Sequence, residues 1–127
     1  MPYELSFTKH VQVTDRARYI NGCSVAGDVV SAALLPALQA RYGQFDTGEE
    51  DWGWFMWSTS DGLRLSVDVF TDDDLAGKFR ARVATSRRRR LLGWKEIDTA
   101  ALEELRGVVQ AQLTAWLGQP PLVIHVD

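Results

Sequence analysis

Apolar and polar residues alternate in several stretches of the chain, and a period of two is typical of β-strands. The first stretch begins at Tyr3 and predicts a strand over residues 3–13. The other strands that alternation predicts cover residues 52–58, residues 63–70, a stretch from Phe79 to the Arg87–Arg90 run, and residues 122–126. Residues 91–97 fit either a short strand or a loop, and the acidic residues 44–51 are predicted to form a loop.

Elsewhere the apolar spacing changes to the intervals of an amphipathic helix. Val25–Tyr42 and Asp98–Leu117 are predicted to be helical. Asp98 is the expected N-cap of the second helix, and Gly118 its stop. Pro36 lies inside the first helix, and a proline there removes a hydrogen bond at a cost of about 3 kcal/mol. We therefore expect a kink or a break at Pro36.

The resulting order, β-α-β-β-β-α-β, predicts an α+β fold. Strands cluster in the middle of the chain, so we expect a mostly antiparallel sheet with two helices packed on one face. The length of 127 residues suits a single domain that covers residues 1–127. The chain is 46% hydrophobic and 24% charged, which is close to the average of globular proteins that build an ordinary core.

The dipeptide Asp61-Gly62 separates two apolar stretches and predicts a two-residue hairpin turn, because both residue types tolerate a positive φ. Turn length decides which side chains face the core, because strand side chains have a period of two. The pairs expected from this turn are Met56 with Val67 and Trp54 with Val69 on the core side, and Phe55 with Asp68 and Trp57 with Ser66 on the other side. A loop of odd length, or one β-bulge, would reverse the two sides.

Charge is sorted into two blocks along the chain. Residues 46–74 carry nine acids and one base, Arg64, whereas residues 78–95 carry eight bases and no acid. The sorting predicts a sheet with a charged surface, and five tryptophans make that surface aromatic in part. Of these tryptophans, Trp52 and Trp54 are expected on the core side with Met56, and Trp94 and Trp116 in the core.

The alternation of the three central strands places arginines and aromatic rings together on the sheet face away from the core. The candidate partner-binding residues on this face are Phe55, Trp57, Arg64, Asp68, Arg80 and Arg82. Arginine and aromatic residues dominate the hot spots of protein interfaces. In the alternative interpretation the arginines stack on the rings and pair with Asp68, the only acid expected nearby. The charged groups of this face are then neutralised within the chain and need no partner.

We therefore predict a non-enzymatic protein–protein interaction module, of the kind found among small acidic adaptor and immunity proteins of bacteria. Its partner is expected to be another protein or a second copy of the chain. The alternative is a protein that binds a small molecule or an anion in a pocket between the sheet and the first helix. Separately, residues 21–27 are mostly small, and the helix that follows them could hold an anion. The net charge of −3 gives no attraction to anionic membranes, and the N-terminal residues lack the basic and apolar regions of a secretory signal. No apolar run approaches the roughly 18 residues of a membrane-spanning helix, so we predict a cytoplasmic protein that binds no membrane.

Sequence motifs for catalysis or metal binding are lacking. Cys23 excludes an intrachain disulfide and is expected to be a small buried residue, with Ser24 or Asp28 as the cap of the helix that follows. The two histidines, His10 and His125, lie too far apart in the chain to suggest a zinc site. We thus expect no catalytic residue, no metal and no cofactor.

The Arg87–Arg90 run resembles a nucleic-acid patch, but the chain as a whole is acidic. We expect these arginines to be exposed at a loop tip and to bind no specific nucleic acid.

Overall fold

A computed structural model describes residues 2–91, 93–97 and 99–126. Within these residues the chain forms two α-helices, α1 (Gly27–Tyr42) and α2 (Ala100–Leu117), and a short 3-10 helix, Arg16–Arg18. The strands are β1 (Tyr3–Thr8), β2 (Asp46–Glu50), β3 (Gly53–Ser60), β4 (Leu63–Asp73), β5 (Lys78–Arg89), β6 (Gly93–Ile97) and β7 (Leu122–His125). This architecture confirms the predicted α+β class and adds two strands to the predicted order.

The described strands form one antiparallel sheet in the order β2-β3-β4-β5-β1-β7. Strand β5 is long enough to pair with β1 along its first half and with β6 along its second half. Helix α1 packs on β3 and β4, helix α2 packs on β5, and the two helices contact each other. Both helices therefore cover one face, as predicted, and the opposite face, which we call the outer face, carries neither of them.

The core lies between the helices and the inner face of the sheet. Met56, Val67 and Val83 are fully buried there, and Leu34 and Leu105 meet them from the two helices. Burying a side chain of this size contributes about 1.5–3 kcal/mol, so this layer accounts for most of the favourable free energy of folding. No described helix has the length and apolar character that a membrane span requires.

Two strand predictions need correction, and one alternative is decided. Strand β1 ends at Thr8 instead of residue 13, because the chain leaves the sheet after Lys9, whose N–H donates to the Gly77 carbonyl at 2.8 Å. Residues 46–50 form β2 and not a loop, since pairing with β3 satisfies their backbone despite the low strand propensity of Asp, Gly and Glu. Residues 93–97 form a strand, which decides the alternative left open there.

Helix α1 differs from its prediction at its start, and it is not broken at its proline. It begins at Gly27, and its N-cap is Ala26 with a φ of 64° and no side-chain cap, so neither Ser24 nor Asp28 caps it. The helix runs unbroken through Pro36. Pro36 and Ala32 are both exposed, so water can solvate the Ala32 carbonyl, which lacks its usual helical donor.

Helix α2 agrees with its prediction except at the cap. Thr99 is the N-cap, and its side chain accepts from the Leu102 N–H at 3.1 Å. The predicted cap, Asp98, lies outside the described residues. Gly118 ends the helix in the left-handed region, with a φ of 77°, as expected.

The hairpin between β3 and β4 has the predicted turn. Asp61 and Gly62 have φ values of 52° and 75°, and two consecutive positive values are typical of a type I′ turn. The observed register pairs Met56 with Val67, Trp54 with Val69, Phe55 with Asp68 and Trp57 with Ser66. The predicted register is therefore confirmed.

Candidate functional site

The six candidate residues lie together on the outer face. Phe55 and Trp57 come from β3, and the strand register continues their side of the sheet across β4 and β5. The remaining members are Arg64 and Asp68 on β4, and Arg80 and Arg82 on β5.

Four side chains of the outer face form a stack, which we call the Trp–Arg ladder: Phe55, Trp57, Arg64 and Trp94. The ring centroids of Phe55 and Trp57 are 4.8 Å apart. The Arg64 guanidinium carbon lies 4.7 Å from the centroid of Trp57 and 4.1 Å from that of Trp94. Both distances are within the range of cation–π attraction, so the guanidinium is held between two indole rings.

Small side chains make the Trp–Arg ladder possible. Strand β5 separates β4 from β6, so Arg64 must cross β5 to reach Trp94. Its cross-strand neighbour there is Ser86, and the next outward residue of β5 is Ala84. Ser86 is only 7% exposed and Ala84 only 2% exposed, although both belong to the outer face. The long side chains of the ladder therefore cover the middle of this face.

The position of Trp94 corrects a prediction. We expected Trp94 in the core, but β6 pairs Glu96 with Ser86 and Trp94 with Arg88, which turns both β6 side chains outward. The alternative that residues 91–97 form a strand already implied this position, because side-chain alternation along β6 puts Trp94 and Glu96 on the same face of the sheet. Trp116 packs against the core as predicted, edge-on to Phe7 at 6.5 Å.

The outer-face arginines differ in their partners. Arg80 donates to Glu4 at 2.5 Å and to Asp72 at 3.0 Å, and Arg82 donates to Glu96 at 2.6 Å. The expectation that only Asp68 neutralises these arginines is therefore wrong.

Arg64 has a different environment from those two arginines. Its Nε is buried and has no hydrogen-bond partner among the residues that the structure describes. The guanidinium of Arg64 is thus stabilised by its two indole contacts and by charge attraction to Asp68.

Asp68 lies under the Trp–Arg ladder and accepts a hydrogen bond from Trp57 Nε1 at 2.9 Å. Burial raises the pKa of the Asp68 carboxyl above its usual value, although the Trp57 hydrogen bond and the nearby Arg82 act in the opposite direction. A folded-state pKa above the unfolded value means that ionisation of Asp68 opposes folding.

This shift predicts the pH dependence of an Asp68→Asn variant. In the wild type, the contribution of protonated Asp68 to the free energy of unfolding is lost as the pH rises from the unfolded-state pKa through the raised folded-state pKa. Asparagine does not titrate, so the variant has no such loss. The stability advantage of Asp68→Asn should therefore increase through this window and level off above it. Urea denaturation of both proteins from acid to neutral pH checks the trend. A difference in unfolding free energy that stays constant with pH would contradict it.

A second aromatic pair lies on the outer face near the other end of β4. The centroids of Trp52 and Phe70 are 5.4 Å apart, and the Arg80 guanidinium carbon is 4.7 Å from Phe70. Trp52 was expected on the core side. It belongs instead to the two-residue turn between Glu50 and Gly53, so strand alternation does not extend to it.

Sequence reasoning missed several members of this face, which are Glu4, Trp52, Phe70, Asp72, Trp94 and Glu96. Phe70 lies two residues after Asp68 on β4, so its side chain is on the same face of the sheet. The predicted hairpin register therefore already implied its position. Glu4 required knowledge that β1 pairs with β5.

A cavity of about 200 Å³ lies where the inner face meets the end of α1, as the pocket alternative requires. Its lining residues are Tyr42, Ser58, Ser60, Leu63, Leu65 and Ala101. Burial and the neighbouring Glu104 carboxylate raise the pKa of Tyr42 to about 12, so its hydroxyl stays protonated. Ligand pockets usually measure roughly 300–1,000 Å³, and this cavity has room for about six water molecules.

The loop before α1 already donates hydrogen bonds to a carboxylate of the same chain, that of Glu49. Glu49 Oε2 accepts from the Ile20 N–H at 2.8 Å and from Ser24 Oγ at 2.6 Å. An external anion near residues 21–27 would compete with this carboxylate.

Cys23 is exposed, contrary to the expectation of a buried residue. Residues 87–90 are exposed as predicted, but residues 87–89 belong to β5 and not to a loop tip. His10 follows β1 outside any strand, and His125 on β7 stacks on Tyr3 at 4.3 Å. A search of the described residues finds no group of three or more side chains able to hold a metal ion.

Comparison with protein-family models finds no match for this chain, and comparisons with curated proteins and with solved structures find none either.

Proposed function

We propose that the protein is a non-enzymatic interaction module that binds another protein through its outer face. The observation that carries the proposal is the Trp–Arg ladder, in which Arg64 lies between two indoles and its buried Nε has no hydrogen-bond partner in the described part of the chain. Tryptophan and arginine are the residues most enriched in binding hot spots.

The ladder suits binding for an energetic reason. An arginine that is already held between two rings loses little side-chain entropy when a partner binds it. Its planar fork of N–H donors matches a carboxylate or a pair of carbonyl oxygens. Arg80 and Arg82 instead have acidic neighbours and contribute shape and charge at the edges of the same surface. We therefore expect Arg64 to dominate the binding energy among these arginines.

Arg64→Ala tests the proposal. We expect it to weaken binding of the protein partner by roughly 10- to 100-fold, which corresponds to about 1.4–2.8 kcal/mol. The measurement is capture of the partner from native lysate by immobilised wild type and variant, followed by titration of the captured partner. Stability is measured in parallel, because the variant also removes two ring contacts.

Arg41→Ala is the matched control. Arg41 is an exposed arginine of α1 that pairs with Glu104 and lies over Tyr42, on the helical side of the molecule. The control should bind like the wild type. If Arg64→Ala lowers stability and leaves binding unchanged, the ladder is a self-satisfied structural feature and the proposal fails.

A further inference from the structure

The two ends of the sheet carry opposite charge. Strand β4 runs from Leu63 to Asp73 and β5 returns from Lys78 to Arg89, so their turn lies opposite the β5–β6 hairpin. The hairpin end carries exposed Arg87–Arg90 and Lys95, and these arginines form no ion pair with other described residues. The β3–β4 turn at the same end adds the exposed acid Asp61, so the end remains basic. The other end carries acids beside the β2–β3 and β4–β5 turns, which are Glu50, Asp51, Asp72, Asp73 and Asp74, together with the base Lys78. Asp72 already pairs with Arg80, and Asp74 with Arg16, but the end remains acidic.

The outer face is large enough for an interface between two copies. Six strands lie side by side, and β3 contains eight residues. Spacings of about 4.8 Å between strands and about 3.3 Å per residue give a footprint of roughly 600 Å². Two copies would bury about 1,200 Å² in total, which reaches the lower limit of stable interfaces.

Symmetry and charge together select one arrangement of two copies. A two-fold axis in the interface and along the strands would place the basic hairpins near each other. An axis in the interface and perpendicular to the strands turns the partner end for end. This rotation leaves each strand opposite its own copy, so each basic hairpin faces the acidic β4–β5 turn of the other copy. Each Trp–Arg ladder then faces the partner's Trp52–Phe70 pair.

We propose that the outer face binds a second copy of this chain in that antiparallel, face-to-face arrangement. Two packed sheets of this kind keep their strands within about 30° of each other, which twisted sheets accommodate. Complementary charge at both ends sets the orientation and speeds association, and the aromatic groups between the ends exclude water. The inference rests on the proposed function and names the partner of the same surface.

Paired charge reversals test the arrangement. One variant, Arg88→Glu with Arg89→Glu and Arg90→Glu, makes both ends acidic. A second variant, Asp72→Lys with Asp73→Lys and Asp74→Lys, makes both ends basic. We expect the wild type to dimerise in sedimentation equilibrium, and each variant alone to dimerise at least tenfold more weakly. An equimolar mixture of the two variants should form a heterodimer, because each hairpin then faces a β4–β5 turn of opposite charge. No contact within one chain predicts this rescue.

Several results would overturn the inference. They are a wild type that stays monomeric at the highest accessible concentration, variants that dimerise normally, a mixture that shows no rescue, and specific binding of nucleic acid by residues 87–90. A photo-crosslinker at exposed Thr59 on the outer face separates this failure from that of the proposed function. An adduct with a different protein that Arg64→Ala abolishes keeps the function and rejects the second copy. A monomer without any adduct rejects both.

Discussion

Trp57→Ala is expected to weaken self-association by about 30-fold or more while the protein remains folded. Trp57 is in the middle of the Trp–Arg ladder, so alanine removes its stacking on Phe55 and on Arg64. Truncation of such a hot-spot residue costs about 2 kcal/mol or more in binding. The variant also leaves the Asp68 carboxylate without its indole donor, so we expect about 1–2 kcal/mol of lost stability. Sedimentation equilibrium and urea denaturation measure the two effects separately.

Two variants provide the controls for Trp57→Ala. Trp57→Phe keeps a ring for stacking but lacks the N–H that Asp68 accepts, so its binding should fall less than that of the alanine variant. Trp116→Ala removes a tryptophan from the helical side, where it packs against Phe7. It should lower stability and leave self-association unchanged. Equal losses of binding in Trp57→Ala and Trp116→Ala would show that binding reports only on stability.

Gly53→Ala is expected to lower the free energy of unfolding by about 3 kcal/mol or more. Gly53 has a φ of 156°, and a Cβ added there would lie 2.2 Å from the Val69 carbonyl oxygen. The contact is with backbone, so either β3 or β4 must shift, and such strain and overpacking cost about 1–3 kcal/mol each. Because Gly53 ends the turn that carries Trp52, the shift should also disturb the Trp52–Phe70 pair. Urea denaturation and tryptophan fluorescence report the two changes.

Gly107→Ala is the control for Gly53→Ala. Gly107 lies inside α2, and a Cβ added there would meet no atom within 4 Å. Alanine is favoured over glycine in a helix by about 1 kcal/mol, so this variant should be as stable as the wild type or slightly more stable. If Gly53→Ala is as stable as Gly107→Ala, the close approach of Gly53 to β4 does not constrain the sheet.

The outer face was predictable where local chain geometry determines it. Asp61 and Gly62 accept positive φ, which sets a two-residue turn, and the period of two then assigns every residue of β3 and β4 to a side. The same parity places the alternating arginines of β5 outward. The six candidate residues follow from these local rules, without knowledge of any distant part of the chain.

Other members of the face depended on contacts between distant segments. Trp94 joins the ladder only because β6 pairs with β5, and Glu4 reaches Arg80 across 76 residues because β1 pairs with β5. Strand β2 formed from a segment of low strand propensity because β3 offered it backbone partners. Its turn also brought Trp52 to the outer face.

The amino-acid sequence by itself thus determined the fold class, the hairpin register and the side of the sheet on which the arginines lie. Each of these depends on backbone preferences and side-chain alternation over a few neighbouring residues. Only the tertiary structure decided which acids neutralise Arg80 and Arg82, and which indoles hold Arg64. These partners come from strands far apart in the chain, and strand pairing depends on the packing and hydrogen bonding of the whole sheet more than on intrinsic propensity.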